Sequence, residues 1–352
     1  MKMKRLAMTI LLAILSLALV ACGSNSTAGN AGNTNANTES ANTESAANTE
    51  QANQPSTVEV TDAHGTVTVP VNPQTVVSLD NRTFETLAEW GIKLAAAPKD
   101  VMPKDVPYVN DESVQNIGNH REPNLEVIAA VNPDLVIVGQ RFATFYEDIK
   151  KLVPNAAVID LNIDVSGENG SSGDNLVNGY KDIVLTLGKI FDKNDEAQQL
   201  VARFEESLEK AKAAYNGTDT VMGVIVSGGN IGYSAPSKGR IWGPLFEIFG
   251  WVPALNDEKA TSDHQGDEVS VEAIAQSNPD WLMVMDRDAA ISSDGEYTPA
   301  KDVIENSPAL QNTTAIKNGQ IVYAPADTYT NESIQTYIEI FDALAEAFNS
   351  KK

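Results

Sequence analysis

Residues 125–141 read LEVIAAVNPDLVIVGQR, and residues 271–287 read VEAIAQSNPDWLMVMDR. The offset is a constant 146 positions, and 8 of the 17 are identical. Each copy reads as a short helix, an Asn-Pro-Asp turn and a strand, because proline cannot continue a helix and biases the residue before it out of the α region. Each strand is apolar at nearly every step, as expected where helices cover both faces of a sheet. A helix–turn–strand unit that occurs twice predicts two α/β halves of similar construction.

Both strands run into an arginine nine residues after the asparagine, Arg141 in the first copy and Arg287 in the second. In open α/β sheets ligands sit outside the carboxyl ends of the strands. If the halves face one another, the two arginines enter one cleft from equivalent rims. The alternative is a pair of surface arginines matched to local acids such as Asp286 and Asp288. A third arginine, Arg240, closes the loop SGGNIGYSAPSKGR (227–240) between a strand at 224–226 and a helix expected over 241–250. That loop lacks the Gly-Lys-Ser/Thr of a phosphate-binding loop, and its glycines are expected to keep the rim low for a bulky ligand. Tyr233, Trp242 and Tyr329 are candidate aromatic walls, with Trp242 equally suited to the core. The chain has only seven arginines, so placing three of them on one rim system is informative.

Working outward, residues 58–69 read as a hairpin, 75–79 as a strand and 84–91 as a helix stopped by glycine. Residues 174–215 are mostly helical, with a break around 189–195 and an end at Asn216-Gly217. The expected architecture is α/β: two α/β lobes joined by a single long helix, with a ligand cleft between them. The boundaries are an N-terminal lobe over 57–192, an interdomain helix over 193–216 and a C-terminal lobe with a terminal helix over 217–352.

The N-terminus differs from the rest. Lys2, Lys4 and Arg5 precede an apolar run from Leu6 to Ala21, which reads as a secretory signal over 1–21. Residues 22–56 form a flexible tether, almost entirely Ser, Thr, Asn, Ala, Gly, Gln and Glu, with ANTES repeated at 36–40 and 41–45. Removing the three leading cations from the 25 Lys+Arg leaves 22 against 48 acids, a net charge of -26 from Cys22 onward. That balance argues strongly against a nucleic-acid binder and against an anionic membrane surface as partner. Cys22 is the only cysteine, so an internal disulfide and a cysteine metal cluster are excluded.

Leu19-Val20-Ala21-Cys22-Gly23 resembles the lipobox of bacterial lipoproteins, which implies cleavage before Cys22 and acylation of it. The remainder, most specifically Ser234–Gly250, Ala260–Gly266 and Asn278–Ala290, resembles the iron-siderophore-binding lipoproteins. These are class III substrate-binding components of ABC importers, and the likeness is greatest to those taking catecholate (petrobactin-type) siderophores. The resemblance implies a ferric catecholate ligand gripped by Arg141, Arg240 and Arg287, and lobes that close only slightly. It implies iron ligation by His264 and a tyrosine where the siderophore leaves positions open. An ungapped comparison puts Tyr329 where the family has tryptophan and Thr330 where it has the ligating tyrosine, so Tyr329 serves only with a one-residue shift. It further implies docking on a permease, with its ATPase, through Glu126 and Glu272, one acid per repeat. The implied protein is a monomer on the outer face of the membrane of a Gram-positive bacterium, with no cofactor beyond the iron inside its ligand.

The chemistry suits the residues. A ferric tris-catecholate is a compact trianion with an aromatic exterior, and guanidinium both donates to its oxygens and stacks on its rings. Ferric ion prefers oxygen and accepts imidazole. Of the three histidines, His64, His120 and His264, each alone is ordinarily a satisfied surface or core group. Other readings stay open: a binder of haem, cobalamin or a hydroxamate siderophore on the same fold, a tethered adhesion module, or a secreted enzyme. No nucleophile motif or His-Glu-x-x-His supports the last.

Overall fold

The computed structural model describes residues 56–256, 260–292 and 297–351. The expected signal segment, Cys22 and the tether up to residue 55 lie outside them.

The folded body opens with an antiparallel hairpin, β1 (Thr57–Asp62) and β2 (Gly65–Pro70), which buries Val60 and Val69. Five parallel strands follow: β3 (Val76–Ser78), β4 (Ala96–Ala97), β5 (Gln115–Asn116), β6 (Leu135–Val138) and β7 (Ala157–Asp160). They lie in the order β5-β4-β3-β6-β7. The helices of this lobe are α1 (Phe84–Glu89), α2 (Leu125–Val131) and α3 (Tyr146–Leu152). The second sheet holds β8 (Thr220–Ser227), β9 (Asn230–Ser234), β10 (Val252–Pro253), β11 (Trp281–Asp286) and β12 (Ile321–Tyr323). Its parallel path is β10-β8-β11-β12, with β9 antiparallel to the later part of β8.

Between β7 and β8 the chain forms two long helices, α4 (Ser172–Ile190) and α5 (Asn194–Ala214), so the boundary expected at 192/193 falls at the turn joining them. They run antiparallel: Gly188 packs on Ala197 beside the turn, and farther from it Lys181 pairs with Glu205. The second lobe adds α6 (Gly243–Phe249), α7 (Val271–Ser277), α8 (Arg287–Ile291), α9 (Ala300–Glu305), α10 (Thr314–Asn318) and α11 (Ile334–Ser350). Helix α4 touches both lobes. Near its start Gly173 donates to Glu247 of α6 at 3.0 Å, and Gly179 packs on Ile163, just beyond β7. The molecule is thus two α/β lobes with a long connecting helix, and the helix that touches both is α4 rather than the one expected over 193–216.

The sequence repeat is a structural repeat. Asn132 ends α2 at φ 48° and Asn278 ends α7 at φ 46°, both in the left-handed region that asparagine tolerates. The aspartate two residues on then ties down the neighbouring strand. Asp134 Oδ2 accepts the N–H groups of Gln74 and Thr75 at 2.9 Å ahead of β3, and Asp280 Oδ2 accepts the N–H of Thr220 at 2.8 Å at the start of β8. Gln74 and Thr220 are again 146 residues apart. The motif therefore stops a helix, turns the chain and fixes the register of two parallel strands. The strands it feeds are buried, as their apolar runs require: all four residues of β6, and all of β11 but Asp286.

One crossing is decisive for the site. After β12 the chain turns back toward the first lobe, and residues 328–337 are buried almost without interruption. Thr330 offers its carbonyl to Asn81 Nδ2 at 2.6 Å, and Ser333 donates to Glu85 of α1 at 2.5 Å. Helix α11 then packs along α5, with Phe341 against Phe204. The largest apolar cluster accordingly runs through both lobes.

Candidate ligand-binding site

Between the lobes lies a cavity of about 870 Å³. Among the described residues its wall carries Lys99, Lys104, Arg121 and Arg141 from the first lobe and Arg240 and Arg287 from the second, against a single carboxylate, Asp100. In a chain with 48 acids and 25 Lys+Arg, that local excess of cations makes this face electrostatically suited to an anion.

Three arginines meet at one ring. The guanidinium carbons of Arg141, Arg240 and Arg287 stand 5.2, 4.3 and 4.7 Å from the centroid of Tyr329. Arg141 leaves the end of β6 on a short 3-10 turn (Gln140–Phe145), and Arg287 begins α8 at the end of β11, so the strand repeat aims both into the cleft. Arg141 Nη2 donates to the Tyr329 carbonyl at 2.8 Å, which Arg240 Nη2 also reaches at 3.3 Å. Arg287 Nη1 donates to Ser227 Oγ at 3.0 Å, while its buried Nε has no protein acceptor. Burial disfavours ionisation of the Tyr329 phenol. The hydrogen bond from Arg287 and the fields of Arg240, Arg287 and Arg141 outweigh it and hold the phenol below its ordinary value.

Like charges gather this closely only with support from beneath. Glu332, 6% exposed, accepts from Arg240 Nε at 2.7 Å and from Arg240 Nη2 through Oε1, and its Oε2 lies 3.6 Å from Arg82 Nη2. Burial alone would push the Glu332 carboxyl up, but Arg240, Arg82 and Arg141 hold it below the usual carboxylate range. Tyr180 of α4 donates its hydroxyl to the Glu332 carbonyl, which fixes the segment from the connecting helix. Arg82, itself 5% exposed, also donates to Asn162 at 3.1 Å.

His264 lines the same cavity with 47% of its side chain exposed. Its loop lies hard against β9: a Cβ on Gly232 would stand 2.2 Å from the Gln265 carbonyl oxygen, so only glycine admits that approach. Gly239 likewise lets the turn before Arg240 fold onto Ser234 and Ala235. These glycines serve close backbone packing, rather than the low rim expected for them. His120, from the first lobe, also faces the cavity and has a buried Nδ1 without a protein partner. Both imidazoles are held below their ordinary value. For His120 the causes are burial and then the nearby Arg141 and Arg121; for His264 burial leads, Asp263 opposes it, and Arg287 and Arg240 add to it.

Two expected wall residues belong elsewhere. Tyr233 is 1% exposed in the inner cluster of the second lobe, its hydroxyl donating to the Leu255 carbonyl. Its place on β9 turns the ring into the sheet's packing face. Trp242 is fully buried in the main apolar cluster. Glu126 and Glu272 stand exposed in the first turns of α2 and α7, at matched places of the two repeats. Residues that sequence reasoning passed over are Arg82, His120, Arg121 and Glu332. For Arg82 a signal existed, since it follows the end of β3 as Arg141 follows β6. Glu332 carried none. Among the described residues, no group of three or more His, Cys, Asp or Glu side chains is placed to hold a metal ion.

Two α/β lobes on a connecting helix, with a polar cleft between them lined by cationic side chains from both sides, define a substrate-binding protein of the TroA-like kind. The chain belongs to the periplasmic binding protein family, whose model matches residues 76–328. It is 29% identical over 330 residues to the petrobactin-binding protein YclQ of Bacillus subtilis, covering 93% of each chain. It is 29% identical over 289 residues to the ferric-anguibactin-binding protein FatB of Vibrio anguillarum, covering 81% of this chain and 86% of that one. The structure of the siderophore-binding protein BauB, solved with two acinetobactin molecules and ferric iron, superposes with a TM-score of 0.70 at 27% identity. That match covers 83% of this chain and 98% of BauB.

Proposed function

We propose that this protein captures anionic ferric siderophores of the catecholate class and presents them to the permease of an ABC importer. The observation that carries the reading is the convergence of Arg141, Arg240 and Arg287 on one ring, facing a cavity of about 870 Å³ whose other charges are also mostly positive. Guanidinium groups that already stack on a phenol are arranged to stack on a catechol and to donate to its oxygens. The similarity to binders of petrobactin and anguibactin supports the same class.

Iron enters as cargo inside its chelator. Tyr329 and His264 would occupy coordination positions that a tetradentate chelator leaves open: the phenol is drawn toward the phenolate a hard ferric ion prefers, and the imidazole is neutral at neutral pH. Cleavage before Cys22 and its acylation would anchor the body by residues 22–56 to the outer face of the membrane, as a monomer beside its permease and ATPase. Glu126 and Glu272 would meet the permease, one from each lobe.

Titration of the intrinsic tryptophan fluorescence with ferric enterobactin, ferric petrobactin and ferrichrome tests the reading. The anionic catecholate complexes are expected to bind at least about tenfold more tightly than the neutral hydroxamate. A preference for ferrichrome would refute it.

A further inference from the structure

Three arginines around one ring suggest a site for a trianion, but one of the three is already paired from below. Glu332 gives one carboxylate oxygen to Arg240 and turns the other toward Arg82, and both arginines are largely withdrawn from water. Arg82 does not line the cavity, whereas Arg240 does. The carboxylate therefore lies nearer the ligand face than the cation that balances it. Its carbonyl accepts from Tyr180 of α4, and that of Thr330 two residues earlier accepts from Asn81 of the first lobe, while Arg240 comes from the second lobe. In such surroundings a fixed charge acts over several ångströms with little screening.

We propose that Glu332 is a positioning and specificity residue that lowers the ligand charge the cavity prefers, by holding Arg240 in place while offsetting its charge from behind. This rests on the catecholate reading above. With Glu332 ionised, only Arg141 and Arg287 of the triad present uncompensated charge, and a dianionic complex competes with a trianionic one of the same shape.

Matched metal complexes separate charge from shape. A hexadentate tris-catecholate such as enterobactin is a trianion with Ga(III) and a dianion with Ge(IV), both redox-inert and nearly identical in outline. The readout is the ratio of the Ge(IV) to the Ga(III) dissociation constant, from fluorescence titrations of the folded protein. Glu332→Gln is expected to raise that ratio about tenfold in favour of the trianion, whatever happens to absolute affinity. Glu332→Asp, which keeps the charge, is expected to leave it within about twofold of the parent. A merely structural role would weaken both complexes alike, so an unchanged or lower ratio in Glu332→Gln overturns the proposal. If Glu332→Gln does not fold, the charge-balanced pair Arg82→Gln/Glu332→Gln replaces it. The ratio should then rise by a smaller factor, because the nearer charge has been removed, and an unchanged ratio is again fatal. If the parent protein binds neither complex, the catecholate reading fails and takes this one with it.

Discussion

Replacing Asp80 by asparagine should stabilise the protein above neutral pH and leave it unaltered near pH 4. Asp80 follows β3, is 2% exposed, accepts the N–H of Arg82 at 3.1 Å on Oδ1, and has no partner on Oδ2. Burial raises its pKa from 3.8 to about 7; Arg82 opposes the rise, and the charges of Asp160 and Glu332 add to it. The folded state therefore keeps the proton up to about pH 7, while the unfolded chain releases it near 3.8. Between those values unfolding sheds a proton, so the contribution is fully present below the lower one and is lost as pH rises through the upper one. Across the interval the loss comes to about 4 kcal/mol. Asparagine, neutral and of the same shape, has no such loss. Urea unfolding followed by tryptophan fluorescence, from about pH 4 to about pH 8.5, measures the difference between the two proteins. It should grow from near zero to several kcal/mol, seen on heating as a gain of about 5–10 °C at the alkaline end. Parallel stability curves, or a variant weaker than the parent at high pH, would refute the assignment of a buried protonated carboxyl.

Three further outcomes are expected. For a tetradentate ferric bis-catecholate, His264→Ala and Tyr329→Phe should each lower affinity about tenfold and blunt the change in the charge-transfer absorption on binding. Hexadentate complexes should respond less. Because the His264 imidazole is held below its ordinary value, acid should weaken the tetradentate complex only at a pH lower than an unperturbed histidine would require. The double variant Glu126→Ala/Glu272→Ala should bind ligand like the parent in titrations yet reduce iron uptake by cells; normal uptake would remove these acids from the docking surface.

The parts of this architecture visible in the sequence are those written in local pattern. Asn132-Pro133-Asp134 and Asn278-Pro279-Asp280 announce themselves because a helix stop, a turn and a strand tie each require particular residue types. Once those strands are placed, Arg141 and Arg287 follow. Trp242 and Tyr233 misled because an aromatic residue beside a glycine-rich loop suits a ligand wall and a lobe core equally, and only the packing around β8 and β9 decides. Glu332 was invisible for a different reason. Its partners Arg82 and Arg240 lie 250 and 92 positions away in the chain, and no local periodicity encodes a charge balance between them.

The fastening of residues 328–337 to the first lobe bears on how cargo leaves. A carrier whose halves are stitched together by a connecting helix and again by a returning strand of chain has no wide gape through which to drop its load. If the arginines grip the cargo as proposed, escape in free solution is governed by how slowly those contacts let go, which favours long residence and little leakage. Unloading must be provoked at the destination, by a receiving surface that pries the rims apart or competes for the arginines. Such a carrier would hold its freight most faithfully when it has nowhere to deliver it.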